Sequence, residues 1–420
     1  MPTPTLTPTP TVPPSGTRVA TFLSYREPPA SGEAFKRLSF RERVFGYCTG
    51  QSNSDAPRNP FPTMLIFLYL LKGAVYVGLY LGLVRDPSLS VWNELNVKRF
   101  ILYNVITDAV GMNATNGPLG FRSVSWACFV PLYNFLTPET ITAPLLPGIP
   151  ALRSRWLVVG YLCYLALLLR ALLAPTVGAA EVLPPVDLLA AMIPFDFLIA
   201  EASRCEHYGY MLFTLAFPDR QWLFGLQCVQ IGLWAGAGVA KIGPWFKYVV
   251  VNMSCNSPLA PFVPIFLKAL HIDFPTDTNP SLLARAMATF GICAEISMGF
   301  LCAFGPTRLL GVVLTLGFHS FIFLHLPFAS VQEWNICCMW ASVTLFGMNE
   351  FVIPPTVHPA LAAMLIVTLL IIPTVGQLLP SRVPFLFAFR PYAGNWFFAW
   401  HMCAPGGAPN SPRSRWQHRH

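Results

Sequence analysis

Long apolar runs almost free of charge constrain this chain more than any motif does. Residues 61–84 read FPTMLIFLYLLKGAVYVGLYLGLV, with Lys72 as the sole charge. Comparable runs follow at 156–174, 186–201, 221–241, 286–305, 307–327, 333–353 and 357–377. About 20 residues at 1.5 Å each cross the hydrocarbon core of a bilayer. A water-covered fold needs a charged shell, roughly 25% of its residues, and here only 11% of 420 are charged. Within a bilayer the backbone must satisfy its own polar groups, which favours helices. The expected fold class is all-α: a polytopic transmembrane helix bundle of about eight spans plus short re-entrant or interfacial helices.

The interruptions carry information too. Segments 100–112 and 123–136, separated by Asn113, Asn116, Gly117 and Pro118, are too short to cross and read as half-helices. Pro184 and Pro185 open the segment 186–201, which bears Asp187, Asp196 and Glu201, with Arg204, Glu206, His207 and Tyr208 just beyond. That density of ionisable groups predicts a protein-lined or wet cavity. A polar connector spans 242–285, and an amphipathic aromatic segment spans 385–401.

The ends differ from the middle. Residues 1–60 form a Pro/Thr-rich basic tail expected to be disordered, with a basic amphipathic stretch at 33–47 suited to the membrane surface. Its first 26 residues hold no acid and loosely resemble an organelle transit peptide; a plain tail is the alternative. Residues 61–400 make the membrane domain, and 401–420 a second basic disordered tail. Seven Lys/Arg fall in 1–60, and five with no acid fall in 381–420. Positive flanks mark the inner side, so both termini are expected on the cytoplasmic (or stromal or matrix) face. Membrane lipids are the expected partners; no basic stripe with interleaved aromatics points to nucleic acid. No C-x-x-C pair and no Cys/His zinc spacing occurs, so neither a metal site nor a disulfide framework is expected.

A charge at the bilayer centre costs roughly 2.5–3.5 kcal/mol on insertion scales, so the polar residues within spans need explaining. Lys241 ends a Gly/Ala-rich span before Trp245; it either snorkels to the interface or acts as a desolvated base. Glu295 is mid-span and must be neutral, paired or wet. His319, also mid-span, is either a satisfied core histidine or a relay. His325 lies six residues on, rotated by about 240°, so the two do not share a metal. Glu333 opens a span with Trp334 and Asn335, where a carboxylate complements the helix dipole. Lys72 either snorkels or faces the interior. No nucleophile elbow, phosphate loop or dinucleotide fingerprint occurs.

Several fragments together resemble one family of multi-pass membrane proteins, DUF3556, catalogued as a domain of unknown function. They are Glu206-His207-Tyr208, the run GAGVAK ending at Lys241, Asn256-Ser257-Pro258, Phe318-His319, Glu333-Trp334-Asn335, Leu345-Phe346-Gly347 and Tyr392-Ala393-Gly394-Asn395-Trp396. Glu201 to Cys205 departs from the family pattern. AGVAK with Trp245, a long connector, an acidic helix and a later Phe-His is also similar to the membrane domain of vitamin K-dependent γ-carboxylases (the HTTM domain). That second resemblance implies Lys241 as a base toward a quinol and His319 as a polar partner. This chain lacks the large soluble domain with which those enzymes hold peptides.

Three functions remain open. One is a membrane-embedded acid–base enzyme on a quinone or lipid, with Lys241, Glu295 and His319 as the catalytic set. Glu206, His207, Tyr208, Asn256, Glu333, Asn335 and Asn395 would then form its polar cavity. The others are a proton-coupled carrier and a non-catalytic scaffold or assembly protein. No cofactor is expected beyond such a lipid-soluble ligand, and the sequence leaves the oligomeric state open.

Overall fold

The computed structural model describes residues 62–112, 130–255, 265–273, 277–325 and 332–393. Helix α1 (Pro62–Leu79) continues through a π-helical turn, Tyr80–Val84, and turns back into α2 (Glu94–Ala109). After α3 (Val130–Leu136) come α4 (Arg155–Leu173) and α5 (Ala179–Met192). A broken stretch follows: α6 (Leu198–Ala202), a π turn at Cys205–Gly209, and α7 (Tyr210–Thr214). The central helix is α8 (Gln221–Ala240). The connector folds into α9 (Phe246–Cys255), α10 (Ile265–Leu270) and a small antiparallel hairpin, β1 (His271–Asp273) and β2 (Asp277–Pro280). Then come α11 (Leu282–Ala303), α12 (Arg308–His325), α13 (Gln332–Ala341) with a π turn at Ser342–Gly347, and α14 (Pro359–Ile366). A further π turn joins α14 to α15 (Ile372–Leu378).

The described residues form an all-α bundle apart from that hairpin. Among the described residues five helices are long and apolar enough to cross a membrane: α4, α8, α11, α12 with its leading 3-10 turn, and α14 through α15. The expectation of about eight spans is not reproduced. Segments 186–201 and 333–353 are helical but short or broken, whereas 61–84 runs helically from Pro62 to Val84. The supposed half-helix at 100–112 is the inner part of the sixteen-residue α2. Its polar first turns hid it: Asn93 caps the helix through Leu95 N, and the fully buried Asn96 accepts from Asp86 N at 2.7 Å. Pro184 and Pro185 lie inside α5 rather than opening it. Pro184 has no N–H for the Ala180 carbonyl four residues back, and Arg170 Nη2 donates to that carbonyl instead at 3.1 Å.

Close helix contacts set the bundle's geometry. A Cβ on Gly238 of α8 would lie 2.6 Å from Ile296 Cγ1 and 2.9 Å from its backbone N, so α8 touches the α11 backbone there. Gly299 of α11 meets Ile231 Cα at 3.1 Å in the same sense. Small residues let membrane helices approach this way, where water offers no drive for association. The order of these contacts makes α8 and α11 antiparallel. Gly225 against Leu361 and Gly232 against Leu369 make α8 and α14 parallel. Tyr76 bonds Asn104 while Tyr80 Oη donates to the Asn96 carbonyl, so α1 and α2 are antiparallel. Lys98 of α2 lies over the Trp222 ring at the start of α8.

Of the amphipathic segment 385–401, Leu386, Ala388 and Phe389 are buried and Arg390–Ala393 forms a 3-10 turn. The tails 1–60 and 401–420, the stretch 33–47, and the site residues Asn256 and Asn395 lie outside the described residues.

Candidate functional site: a buried polar seam

The seam is organised by one stripe of α8. Gln227, Gln230, Trp234 and Lys241 follow at spacings of three, four and seven residues. At about 100° per residue they fall within about 60° of one another. All four are buried. Gln227 Nε2 donates to the Leu345 carbonyl at 2.7 Å, binding α8 to the π turn after α13. Gln230 Oε1 meets His207 Nε2 at 3.1 Å, and its amide nitrogen faces Cys338 Sγ at 3.6 Å. Trp234 Nε1 donates to His319 Nε2 at 2.9 Å.

That last bond fixes the state of His319. Indole N–H only donates, so Nε2 must be the unprotonated nitrogen. The ring proton then sits on Nδ1 and is donated to Asn335 Oδ1, 2.8 Å away. His319 is a neutral imidazole with both nitrogens in use, clamping α12 to α8 on one side and α13 on the other.

The first turn of α13 reads three neighbours with three consecutive residues. Glu333 pairs with Lys72 of α1 at 3.0 Å, which places Lys72 in the interior rather than at an interface. Trp334 stacks beneath the Arg204 guanidinium, 3.1 Å from ring centroid to Cζ, and packs on Tyr392. Asn335 takes the His319 proton. The carboxylate of Glu333 also lies in the first helical turn, so the dipole role expected of it holds beside the ion pair.

Glu206 sits at the break between α6 and α7. Its Oε1 pairs with Arg204 at 3.0 Å and accepts from Tyr392 Oη at 3.0 Å. Arg204 reaches both through a left-handed backbone, φ +49°, a conformation that non-glycine residues rarely hold without support. Tyr208 is fully buried, its ring 4.5 Å from that of His207. Burying a charge is costly unless it is paired, and the charges here obey that. Arg153–Asp196, at 2.5 Å, is another buried pair.

Lys241 forms a direct ion pair with Glu295, both buried. The reason is local. Gly238 brings α8 onto the α11 backbone at Ile296, and the neighbouring carboxylate then faces the C-cap of α8. Lys241 Nζ also lies 5.9 Å from the Phe246 ring centroid. Its flanking residues Val239 and Ile242 are 41% and 59% exposed, so apolar surface borders the pair. The hydrogen bonds of His319 go to Trp234 and Asn335 rather than to this pair.

Sequence reading named most of the seam, Arg204 among its ionisable groups, and missed Gln227, Gln230 and Trp234. The α8 residues left a legible signal, a polar stripe of helical period within an apolar run. The bond of Arg204 to Tyr392 left none, since it depends on a left-handed turn and on a residue far along the chain. Among the described residues no group of three or more His, Cys, Asp or Glu is arranged to hold a metal ion.

Helices that cross a membrane around ion pairs and a histidine clamp define the class: a multi-pass integral membrane protein with a polar interior. Within that class, the chain belongs to the family of transmembrane proteins of unknown function (DUF3556), whose model matches residues 60–411. No curated protein and no solved structure matches it. The likeness to γ-carboxylase membrane domains therefore rests on the quoted sequence fragments alone.

Proposed function

We propose that the protein is a membrane-embedded acid–base enzyme acting on a lipid-soluble small molecule, a quinone or lipid, with Lys241 as base and Glu295 as its proton partner. The observation that carries this reading is the direct contact of these two groups, buried together beside lipid-facing Val239 and Ile242. An ammonium cannot accept a proton. Out of water, however, both members of an ion pair are penalised, so passing one proton from Nζ to Glu295 leaves a neutral amine beside a neutral acid. That amine then takes the proton of a substrate O–H, leaving an oxyanion beside the new ammonium. His319 holds α8 in register through Trp234 and Asn335. Glu206, His207, Tyr208, Glu333 and Asn335 supply the polar surroundings. Asn256 and Asn395 keep their place in the proposed cavity on the resemblance alone. The basic tails support both termini lying on the cytoplasmic, stromal or matrix side.

A scaffold is the second reading, favoured by His319, whose two ring nitrogens are both spent on neighbouring helices. Comparing Lys241→Met with Lys241→Met/Glu295→Leu separates the two. Replacing a whole buried pair by apolar residues is often neutral or stabilising. The double variant therefore keeps its fold, and an enzyme loses its product whereas a scaffold keeps its function. Lipid and quinone profiles of expressing cells that stay unchanged in both variants, at normal protein level, would discard the enzyme.

A further inference from the structure

A pocket at the other end of α8 belongs to none of this. It encloses about 480 Å³ between the starts of α2 and α8 and the turn that follows α13. That volume is within the range of small-molecule sites, roughly 300–1,000 Å³. Trp92, Glu94, Asp219, Arg220, Trp222 and Asn349 are among its lining residues.

Three features point to one kind of occupant. First, the lining combines both signs of charge. Glu94 leaves 57% of its side chain exposed even while it pairs with Lys98 at 2.7 Å. Asp219 and Arg220 are exposed and make no ion pair with any described residue. Second, Asp219 is held in the left-handed region, φ +54°, which fixes the backbone at the start of α8. Third, the pocket sits where a membrane-crossing helix begins and is walled by two tryptophans, the residue that collects at the headgroup level. Lys98 already covers Trp222, 5.0 Å from its ring centroid, while Trp92 is 41% exposed and open to a second cation.

We infer that this pocket binds the headgroup of a zwitterionic phospholipid from the adjacent leaflet. The ammonium lies against Asp219, Glu94 and Trp92, and the phosphate against Arg220. The acyl chains leave along the lipid-facing side of the bundle. With Glu94 already paired to Lys98, the uncommitted charges are one carboxylate, Asp219, and one cation, Arg220, a balance that matches a zwitterion and leaves Asp219 unpaired beside a lipid without an ammonium.

Native mass spectrometry of the full-length protein, delipidated in detergent and titrated with phosphatidylethanolamine, phosphatidylcholine or phosphatidylglycerol, tests this. The expected order of retention is ethanolamine, then choline, then glycerol. Asp219→Asn is the informative variant, because Asn tolerates the same left-handed backbone while losing the charge. It should weaken the ethanolamine lipid about fivefold to tenfold and leave the glycerol lipid as tight or tighter. Arg220→Gln should weaken all three. Equal retention of all three lipids by the unaltered protein, preference for phosphatidylglycerol, or indifference to both substitutions would overturn the proposal. None of these outcomes bears on Lys241, so this site and the acid–base reading fail separately.

Discussion

α8 and the span running from α14 through α15 are both twenty residues long, yet the bundle treats them oppositely. The latter has a mean hydropathy of 2.2 and is 22% buried; α8 has 1.4 and is 61% buried. In water the greasier helix would be the inner one. In a bilayer the lipid solvates the most apolar helix as well as protein does, and the interior is taken by the helix whose polar groups need partners. Gln227, Gln230, Trp234 and Lys241 give α8 that need, and α14 and α15 carry no charged residue at all. Hydropathy therefore finds the spans, and the polar stripe within a span finds the centre.

The comparison predicts that stability is concentrated on polar pairs at the centre. The largest effect should come from stranding a buried charge. Lys72→Met leaves Glu333 without its cation and should cost about 3–5 kcal/mol, whereas Lys72→Met/Glu333→Leu should recover most of it. Reversible unfolding in mixed micelles measures both. A single variant as stable as the double would mean that water, not Lys72, compensates Glu333, and the centre would be wet.

Next comes the contact that seats α8. Gly238→Val forces a side chain into the α11 backbone and should cost about 1–3 kcal/mol. Gly317 of α12 has open space around its Cβ position, so Gly317→Ala should stabilise by about 0.5–1 kcal/mol through helix propensity alone. Equal responses at the two sites, in the same unfolding assay, would remove the distinction between inner and outer faces. The histidine clamp ranks third. A double-mutant cycle of Trp234→Phe with His319→Ala should return a coupling of about 0.6 kcal/mol, with 1.7 kcal/mol near the upper bound for such bonds in membranes. Zero coupling would mean that the indole does not donate to the ring.

The same contrast explains what the sequence made legible. The outer helices were read almost to their ends: 156–174 against Arg155–Leu173, and 357–377 against Pro359–Leu378. Lipid-facing helices must be apolar all along, so hydropathy alone marks them. Central α8 was read as closely, 221–241 against Gln221–Ala240, but α2 and α13 were read poorly, because interior position relaxes that rule. α2 opens with Glu94, Asn96 and Lys98, and α13 ends in a π turn. Among the candidate residues, Lys241 and Glu295 announced themselves by charge, and the structure pairs them. His319 was noticed for the same reason, but its partners, an indole eighty-five residues earlier and an amide sixteen later, are matters of packing.

The smallest effect expected is also the one that tests the outer face as lipid-facing. Leu226 of α8 is fully buried and Leu370, in the turn joining α14 to α15, is 62% exposed. Leu226→Ala opens a cavity and should cost about 2 kcal/mol or more. Leu370→Ala exchanges leucine–lipid contacts for lipid–lipid contacts, because the acyl chains fill whatever the side chain leaves. Its cost should stay within about 0.5 kcal/mol. Unfolding measured at several protein-to-detergent ratios gives this prediction its edge. If Leu370→Ala proves as costly as Leu226→Ala, and the cost grows as the protein is diluted, then a second copy rather than lipid covers that face. Its high hydropathy would then reflect a contact between protomers.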